Sequence, residues 1–221
     1  MSQLCRNAMT KTIDIKELDE ISYAEFSAGS RFRVEPPQLA RTHAPTLPSS
    51  PVSWTNRMDQ KQTLLHHFLA ALAYRTQKAL RGAPAEFASF RAAPKVRTPH
   101  ELIRHMDDVL GYSRTFFTGG SYRAPEFAEF AAAIAHFHET LADVARHIEL
   151  GTRLRELTPE ILLQGPFSDA MTHAGQLALL RRLAGSAVPP ENFIFADIND
   201  ANLGPDQPLP ARPDEDWPER P

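Results

Sequence analysis

The chain has 221 residues, 42% of them hydrophobic, and a net charge of −3. This length and composition fit one domain with appendages or at most two small domains, and they exclude a wholly disordered chain. The small net charge argues against nucleic acid as a partner, the absence of a long apolar run argues against a membrane span, and the single cysteine, Cys5, excludes an internal disulfide and a cysteine-based zinc site.

Both ends of the chain are rich in proline, which lies mainly within residues 35–51 and after Val188. Proline cannot continue a helix interior, so both ends are predicted to be extended. We therefore divide the chain into an extended N-terminal segment (1–53), a helical domain (54–185) and a proline-rich C-terminal segment (186–221). The N-terminal residues are too charged for a signal peptide, and we expect a cytoplasmic protein.

Four stretches repeat apolar residues every three or four positions, which is the spacing of amphipathic helices. The second has the clearest start, because Thr98, Pro99 and Glu101 form a capping box with proline at the first helical position. Ser168 is the predicted N-cap of the fourth, and "TPEILL" before it predicts a further turn. The stretch "NFIFADI" has the composition of a strand, but one strand builds no sheet. The predicted helices span residues 55–81, 98–119, 125–151 and 168–185, and their order predicts an all-α four-helix bundle.

The fourth helix places polar side chains on its apolar face. Asp169, His173 and Gln176 share a narrow arc with Leu180, which belongs to the core stripe. An unpaired carboxylate in an apolar interior is costly. Either this end of the bundle opens to water, or a cation binds there.

The spacing of these residues favours a cation. Residues i and i+4 are neighbours on a helix, so Asp169 and His173 can converge on one ion. Imidazole nitrogen and carboxylate oxygen are ligands of zinc and similar ions. His105, at the edge of the apolar stripe of the second helix, is the best candidate for a third ligand. The alternative interpretation is a set of packed, hydrogen-bonded side chains without a metal.

Two stretches of the chain resemble a known family. "ELIRHMDDVLGYSRTFF" (101–117) and "DAMTHAGQLALLRRLAG" (169–185) are similar to the DinB-like (DinB/YfiT) superfamily of metal-binding four-helix bundles. Its members typically carry a histidine followed by a short acidic stretch on the second helix, and His-x-x-x-His-x-x-Gln on the fourth. The resemblance covers about residues 55–185. It implies that His105, Asp169 and His173 bind one divalent ion.

This chain departs from the family pattern at Asp169, where the family usually has histidine. A carboxylate is a harder ligand than imidazole, so iron, manganese or nickel become candidates beside zinc. The resemblance further implies a metal-dependent transferase or hydrolase that acts on a small molecule, with a low-molecular-weight thiol as an expected cosubstrate and a homodimer as the expected assembly. The alternative is a non-enzymatic, stress-related ligand-binding protein with a structural or vestigial metal site.

Three further residues are candidates for supporting roles. His138 is a candidate general base, Gln176 a hydrogen-bond partner of a ligand or bound water, and Tyr112 a residue of the pocket wall. Each also has a purely structural interpretation. Gly175 inside the fourth helix predicts the close approach of a neighbouring helix or ligand. The C-terminal "ENFIFADIND" is expected to pack over the pocket as a lid or against a second subunit.

Four other histidines, His66, His67, His136 and His147, fall mainly outside the apolar stripes, and we expect them to face solvent.

Overall fold

The computed structural model describes residues 58–213, and within them the chain forms helices and no strand. The predicted all-α class is confirmed for these residues. The predicted N-terminal segment (1–53), the start of the first predicted helix and the last residues (214–221) lie outside the described residues, and the division into domains stays a prediction. The strand-like stretch instead contains a 3-10 turn, Phe193–Phe195.

Four long helices form the core of the described chain. The capping box at the start of the second is confirmed, because Glu101 N donates to Thr98 Oγ1 (3.2 Å) and Thr98 N donates to Glu101 Oε2 (2.7 Å). The third begins later than predicted, since Glu126 pairs with Arg104 (2.9 Å) and residues 125–129 form a loop against the second helix. The helices are α1 (Gln60–Leu80), α2 (Pro99–Thr118), α3 (Phe130–Glu149) and α4 (Ser168–Leu183).

The helix α4 begins at Ser168, as predicted, but without an N-cap there. A single turn of helix, Pro159–Leu162, runs into a π-helical segment, Leu163–Phe167, which is kinked at Gly165, and α4 follows directly. Ser168 is therefore not an N-cap, and its Oγ donates to the carbonyl of Leu163 (2.7 Å). Pro166 has no N–H to donate, and Gly165 has non-helical dihedral angles (φ −87°, ψ −105°). Together they open the helix at this point.

Each long helix packs against two others, in the cyclic order α1, α3, α2, α4. The helices α1 and α4 run in the same direction, since Phe68 stacks on Phe167 near their starts and Arg181 reaches Ala79 near their ends. The helices α2 and α3 also run in the same direction. Large apolar side chains from all four fill the centre, among them Leu69, Leu72, Ile103, Met106, Phe137, Leu141 and Leu177.

Arg181 joins the end of α4 to the end of α1. Its guanidinium is buried and donates to the carbonyls of Ala79 (3.2 Å), Arg81 (3.1 Å) and Gly82 (3.4 Å). Its Nε donates to the carbonyl of Ser186 (2.9 Å). Carbonyls at a helix C-terminus carry partial negative charge and lack partners within the helix, so the guanidinium both caps α1 and fixes the axial position of α4.

The segment 186–213 packs along α1 and α3. Glu191 accepts from Tyr74 Oη (2.8 Å) and pairs with Lys78 (3.2 Å), and the carbonyl of Leu203 accepts from His138 Nδ1 (2.7 Å). These contacts place the described part of the C-terminal segment over the seam between α1 and α3. In the cyclic order of the helices this is the seam opposite to the one between α2 and α4, so the segment does not lie over the predicted metal ligands.

Two helical glycines have contrasting surroundings. At Gly111 an added Cβ would lie 2.0 Å from the Cδ1 atom of Tyr122, so this glycine lets the ring pack directly on α2. Tyr122 Oη then donates to Asp107 Oδ1 (3.1 Å), and burial is the main cause that raises the pKa of Tyr122 to about 12. At Gly175 nothing lies within 4 Å of an added Cβ. Among the described residues no neighbouring helix approaches Gly175, so this part of the prediction is wrong, and the approach of a ligand stays a prediction.

Gly111→Ala and Gly175→Ala should change the free energy of unfolding in opposite directions. An alanine at 111 collides with the ring of Tyr122, and such overpacking costs about 1–3 kcal/mol. An alanine at 175 meets no neighbour and removes freedom from the unfolded chain, which stabilises a helix by about 0.5–1 kcal/mol. Urea unfolding followed by circular dichroism measures both variants. Equal stability of the two variants would contradict this account.

Candidate metal centre

Three potential metal ligands meet in the seam between α2 and α4. One ligand atom from each of His105, Asp169 and His173 lies within 4.8 Å of the others. His173 Nε2 is 3.3 Å from Asp169 Oδ1, and the rings of His105 and His173 have their centroids 4.7 Å apart at an angle of 72°. The structure thus brings together the three residues that the sequence analysis selected.

The positions of Asp169 and His173 on α4 determine which side of the site faces the core and which faces solvent. Asp169 lies in the first turn of α4, directly after the π-helical segment, and His173 follows one turn later. His173 is buried beside the apolar face formed by Ala170, Ala174 and Leu177. The side chain of Asp169 is 43% exposed. One side of the cluster therefore contacts the core while the other contacts solvent.

Gln176 contacts the buried histidine from the side away from the carboxylate. Its Oε1 accepts from His173 Nδ1 (2.9 Å), one helical turn further along α4. With the hydrogen on Nδ1, the lone pair of Nε2 points towards the carboxylate of Asp169. In this tautomer a proton or a metal ion between Nε2 and Oδ1 would relieve the repulsion of the two lone pairs, whose atoms are 3.3 Å apart. In the other neutral tautomer Nε2–H donates to Asp169 Oδ1, and the amide of Gln176 is turned so that its NH₂ donates to Nδ1.

The surroundings keep His105 neutral and Asp169 charged. Burial is the main cause that lowers the pKa of His105 to about 4, and the positive charge of Arg97 lowers it further. The hydrogen bond from His173 is the main cause that holds the pKa of Asp169 below its usual value. Near neutral pH the cluster therefore offers a neutral imidazole and a carboxylate, the protonation states that metal binding needs.

The other two candidate residues lie elsewhere. His138 is buried on α3, where its Nδ1 donates to the carbonyl of Leu203 and burial lowers its pKa. This contact belongs to the seam between α1 and α3 and favours a structural role. Tyr112 is 45% exposed, and its ring contacts Phe116 edge-on.

Two of the four histidines expected to face solvent have ionic partners on other helices. His66 is buried, with Nε2 2.9 Å from Glu149 Oε1, so its predicted exposure is wrong. His136 Nδ1 donates to Asp107 Oδ2 (2.9 Å), and the Asp107 side chain is only 3% exposed. The second pair cannot be predicted from the sequence, because periodicity within one helix carries no information about a partner on another.

No protein-family model matches the sequence, and no curated protein or solved structure is significantly similar to it. Membership of the DinB-like superfamily therefore stays a prediction that rests on the two sequence stretches. Within residues 58–213 no helix has the length and apolar character needed to cross a bilayer.

Without added metal, the His105 ring should take up its proton only near pH 4. Histidine in an unfolded chain has a pKa of about 6.5, so the unfolded state binds this proton first as the pH falls. The contribution of His105 to folding stability is then complete above about pH 6.5 and is lost as the pH falls towards about 4. Replacing Asp169 by Asn removes a negative charge and should lower this pKa further. Nuclear magnetic resonance of the His105 ring protons measures this pKa in wild type and in Asp169→Asn. A titration midpoint near pH 6.5 in wild type would contradict the burial of the ring.

Proposed function

We propose that His105, Asp169 and His173 bind one divalent metal ion and that the protein is a metal-dependent transferase or hydrolase acting on a small molecule. The observation that carries this proposal is the convergence of three ligand atoms, from two helices, within 4.8 Å of one another. The fold proposed to hold them is a DinB-like four-helix bundle. The cyclic packing of α1–α4 and their relative directions support it.

The donor set fits a transition-metal ion. Bonds of about 2.0–2.2 Å to one ion in tetrahedral geometry place neighbouring ligand atoms about 3.3 Å apart. The distance between His173 Nε2 and Asp169 Oδ1 already has this value, and only His105 has to turn inwards. Two imidazoles and one carboxylate suit zinc, nickel, iron or manganese. With the hydrogen of His173 on Nδ1, the ion would also lie between the facing lone pairs of Nε2 and Oδ1.

The exposure of Asp169 favours chemistry over a closed structural site. Three protein ligands leave a coordination position free, and the solvent-exposed side of the cluster gives a small molecule access to it. A divalent ion at such a position lowers the pKa of a bound water or thiol and so supplies a nucleophile near neutral pH. His105, Asp169 and His173 hold the ion, and Gln176 keeps Nε2 of His173 directed at it. A low-molecular-weight thiol is the proposed cosubstrate.

The purified protein should bind one divalent ion per chain, and His173→Ala should abolish this binding. The matched control is His67→Ala, which removes an exposed histidine of α1 that pairs with Asp200. Elemental analysis after incubation with Zn²⁺ and dialysis gives the stoichiometry of all three proteins. Equal metal content in wild type and His173→Ala would refute the site.

Cobalt distinguishes an enzyme from a binding protein with a structural ion. In the Co²⁺-loaded protein, a small thiol such as 2-mercaptoethanol should change the visible absorption spectrum, because the free coordination position admits it. An unchanged spectrum would show a closed coordination sphere and favour the non-enzymatic alternative.

We further propose that the protein is a homodimer. Analytical ultracentrifugation of the purified protein measures its assembly state.

Gln176→Leu should weaken metal binding by about 10- to 100-fold, which is the usual effect of removing the partner that orients a metal-binding histidine. Leucine has a similar size but accepts no hydrogen bond from His173 Nδ1. Gln176→Glu keeps an acceptor at the same place and should retain tight binding. Competition with a chromophoric chelator measures the affinities, and equal affinity of the leucine variant and wild type would exclude this positioning role.

A further inference from the structure

A cavity of about 570 Å³ lies on a different face of α2 from the proposed metal ligands. Its walls are the first turns of α2, the 3-10 turn Ala85–Ser89, and residues 125–133, which lead into α3. Arg104 and Asp107 line it, whereas His105 between them faces α4. The volume lies within the range of small-molecule sites. It belongs to the seam between α2 and α3, so it is separate from the metal centre.

A buried carboxylate forms part of the wall. The side chain of Asp107 is 3% exposed, and it accepts from Tyr122 Oη (3.1 Å) and His136 Nδ1 (2.9 Å). A carboxylate has about four lone-pair positions, so Asp107 retains the capacity to accept from a further donor. A buried charge is costly unless it is paired, and within residues 58–213 its one basic partner is His136, with no lysine or arginine.

The charge of the cavity lining is negative. Four carboxylates line it and one guanidinium, that of Arg104, which already pairs with Glu126 (2.9 Å). Glu101 is paired with Arg91 (2.9 Å). Asp107 and Glu129 remain without a lysine or arginine partner in the described part of the chain. This charge balance disfavours an anionic ligand and favours a cationic one.

The apolar part of the lining contains two aromatic rings. Phe127 and Phe130 line the cavity together with several alanines, and the ring of His100 contacts Phe130 (centroids 5.5 Å apart). Phenylalanine rings attract an organic cation through their faces and accommodate its hydrocarbon part. A metal ion would gain nothing from these rings. Moreover, His105, Asp169 and His173 form the only group of three converging metal-ligand atoms among the described residues.

We propose that this cavity binds a small organic cation with a primary ammonium group. The ammonium donates to Asp107 in the wall, and the hydrocarbon part packs against Phe127 and Phe130. Glu129 at the rim adds a second negative charge. This site does not depend on the proposed metal.

The test uses the full chain and isothermal titration calorimetry with 2-phenylethylammonium and its neutral analogue 2-phenylethanol. We expect saturable binding of one ammonium ligand per chain and at least tenfold weaker binding of the alcohol. Asp107→Asn should weaken binding of the ammonium ligand by about 10-fold or more, since it removes a charged acceptor. The exposed Glu129 should contribute less to binding than Asp107, and Glu129→Gln should weaken binding of the ammonium ligand roughly threefold. Glu139→Gln, an exposed charge removal on α3 outside the cavity, is the matched control and should leave affinity unchanged.

The proposal is overturned if the ammonium ligand does not bind, if the alcohol binds equally well, or if Asp107→Asn binds with wild-type affinity. Circular dichroism shows whether Asp107→Asn is folded. If it is not, Glu129→Gln decides, because this exposed residue makes no side-chain cap to α3, and wild-type affinity in that variant would overturn the proposal. His173→Ala should bind the ammonium ligand as wild type does, which separates this site from the metal centre.

Discussion

A buried guanidinium fixes the position of α4, and the candidate metal centre depends on that position. Arg181 is tolerated in the interior because the carbonyls at the end of α1 accept its hydrogens, and it can reach them at only one height of α4. His173 lies eight residues earlier on the same helix, so this contact also sets its level relative to the rest of the molecule. The position of α4 at the proposed ion is therefore fixed by the contacts of Arg181, two helical turns away along α4.

The helix α2 separates the two sites. Three consecutive residues point in three directions: His105 towards α4, Met106 into the core and Asp107 towards α3. The successive turns of a helix distribute neighbouring residues in this way. A single short stretch of sequence therefore contributes to two polar clusters with different chemistry, separated by an apolar side chain. The described part of the C-terminal segment lies over the seam between α1 and α3, away from both clusters.

Local signals in the sequence predicted local structure well. The capping box of α2 needs only residues three apart, and the pairing of Asp169 with His173 needs only one helical turn. The prediction that Ser168 is an N-cap was wrong, because serine is typical of a cap, whereas here the residues directly before it are already helical. The bond between His136 and Asp107 joins two helices through a tertiary contact, which no periodicity reveals. His105 was predicted as the third ligand because it lies at the edge of the apolar stripe of α2. The resemblance to the DinB-like superfamily implied the same residue, and the structure places it beside His173.

The π-helical segment, Leu163–Phe167, joins the short turn Pro159–Leu162 directly to α4 with no loop between them. Each residue of an α-helix turns the chain by about 100°. Because Arg181 and the apolar face hold α4 in register, deleting one residue from 163–167 would rotate the preceding turn, Pro159–Leu162, by that angle against α4 and strain the first turn of α4, where Asp169 lies. Homologous chains should therefore keep the number of residues between that short turn and Asp169 constant.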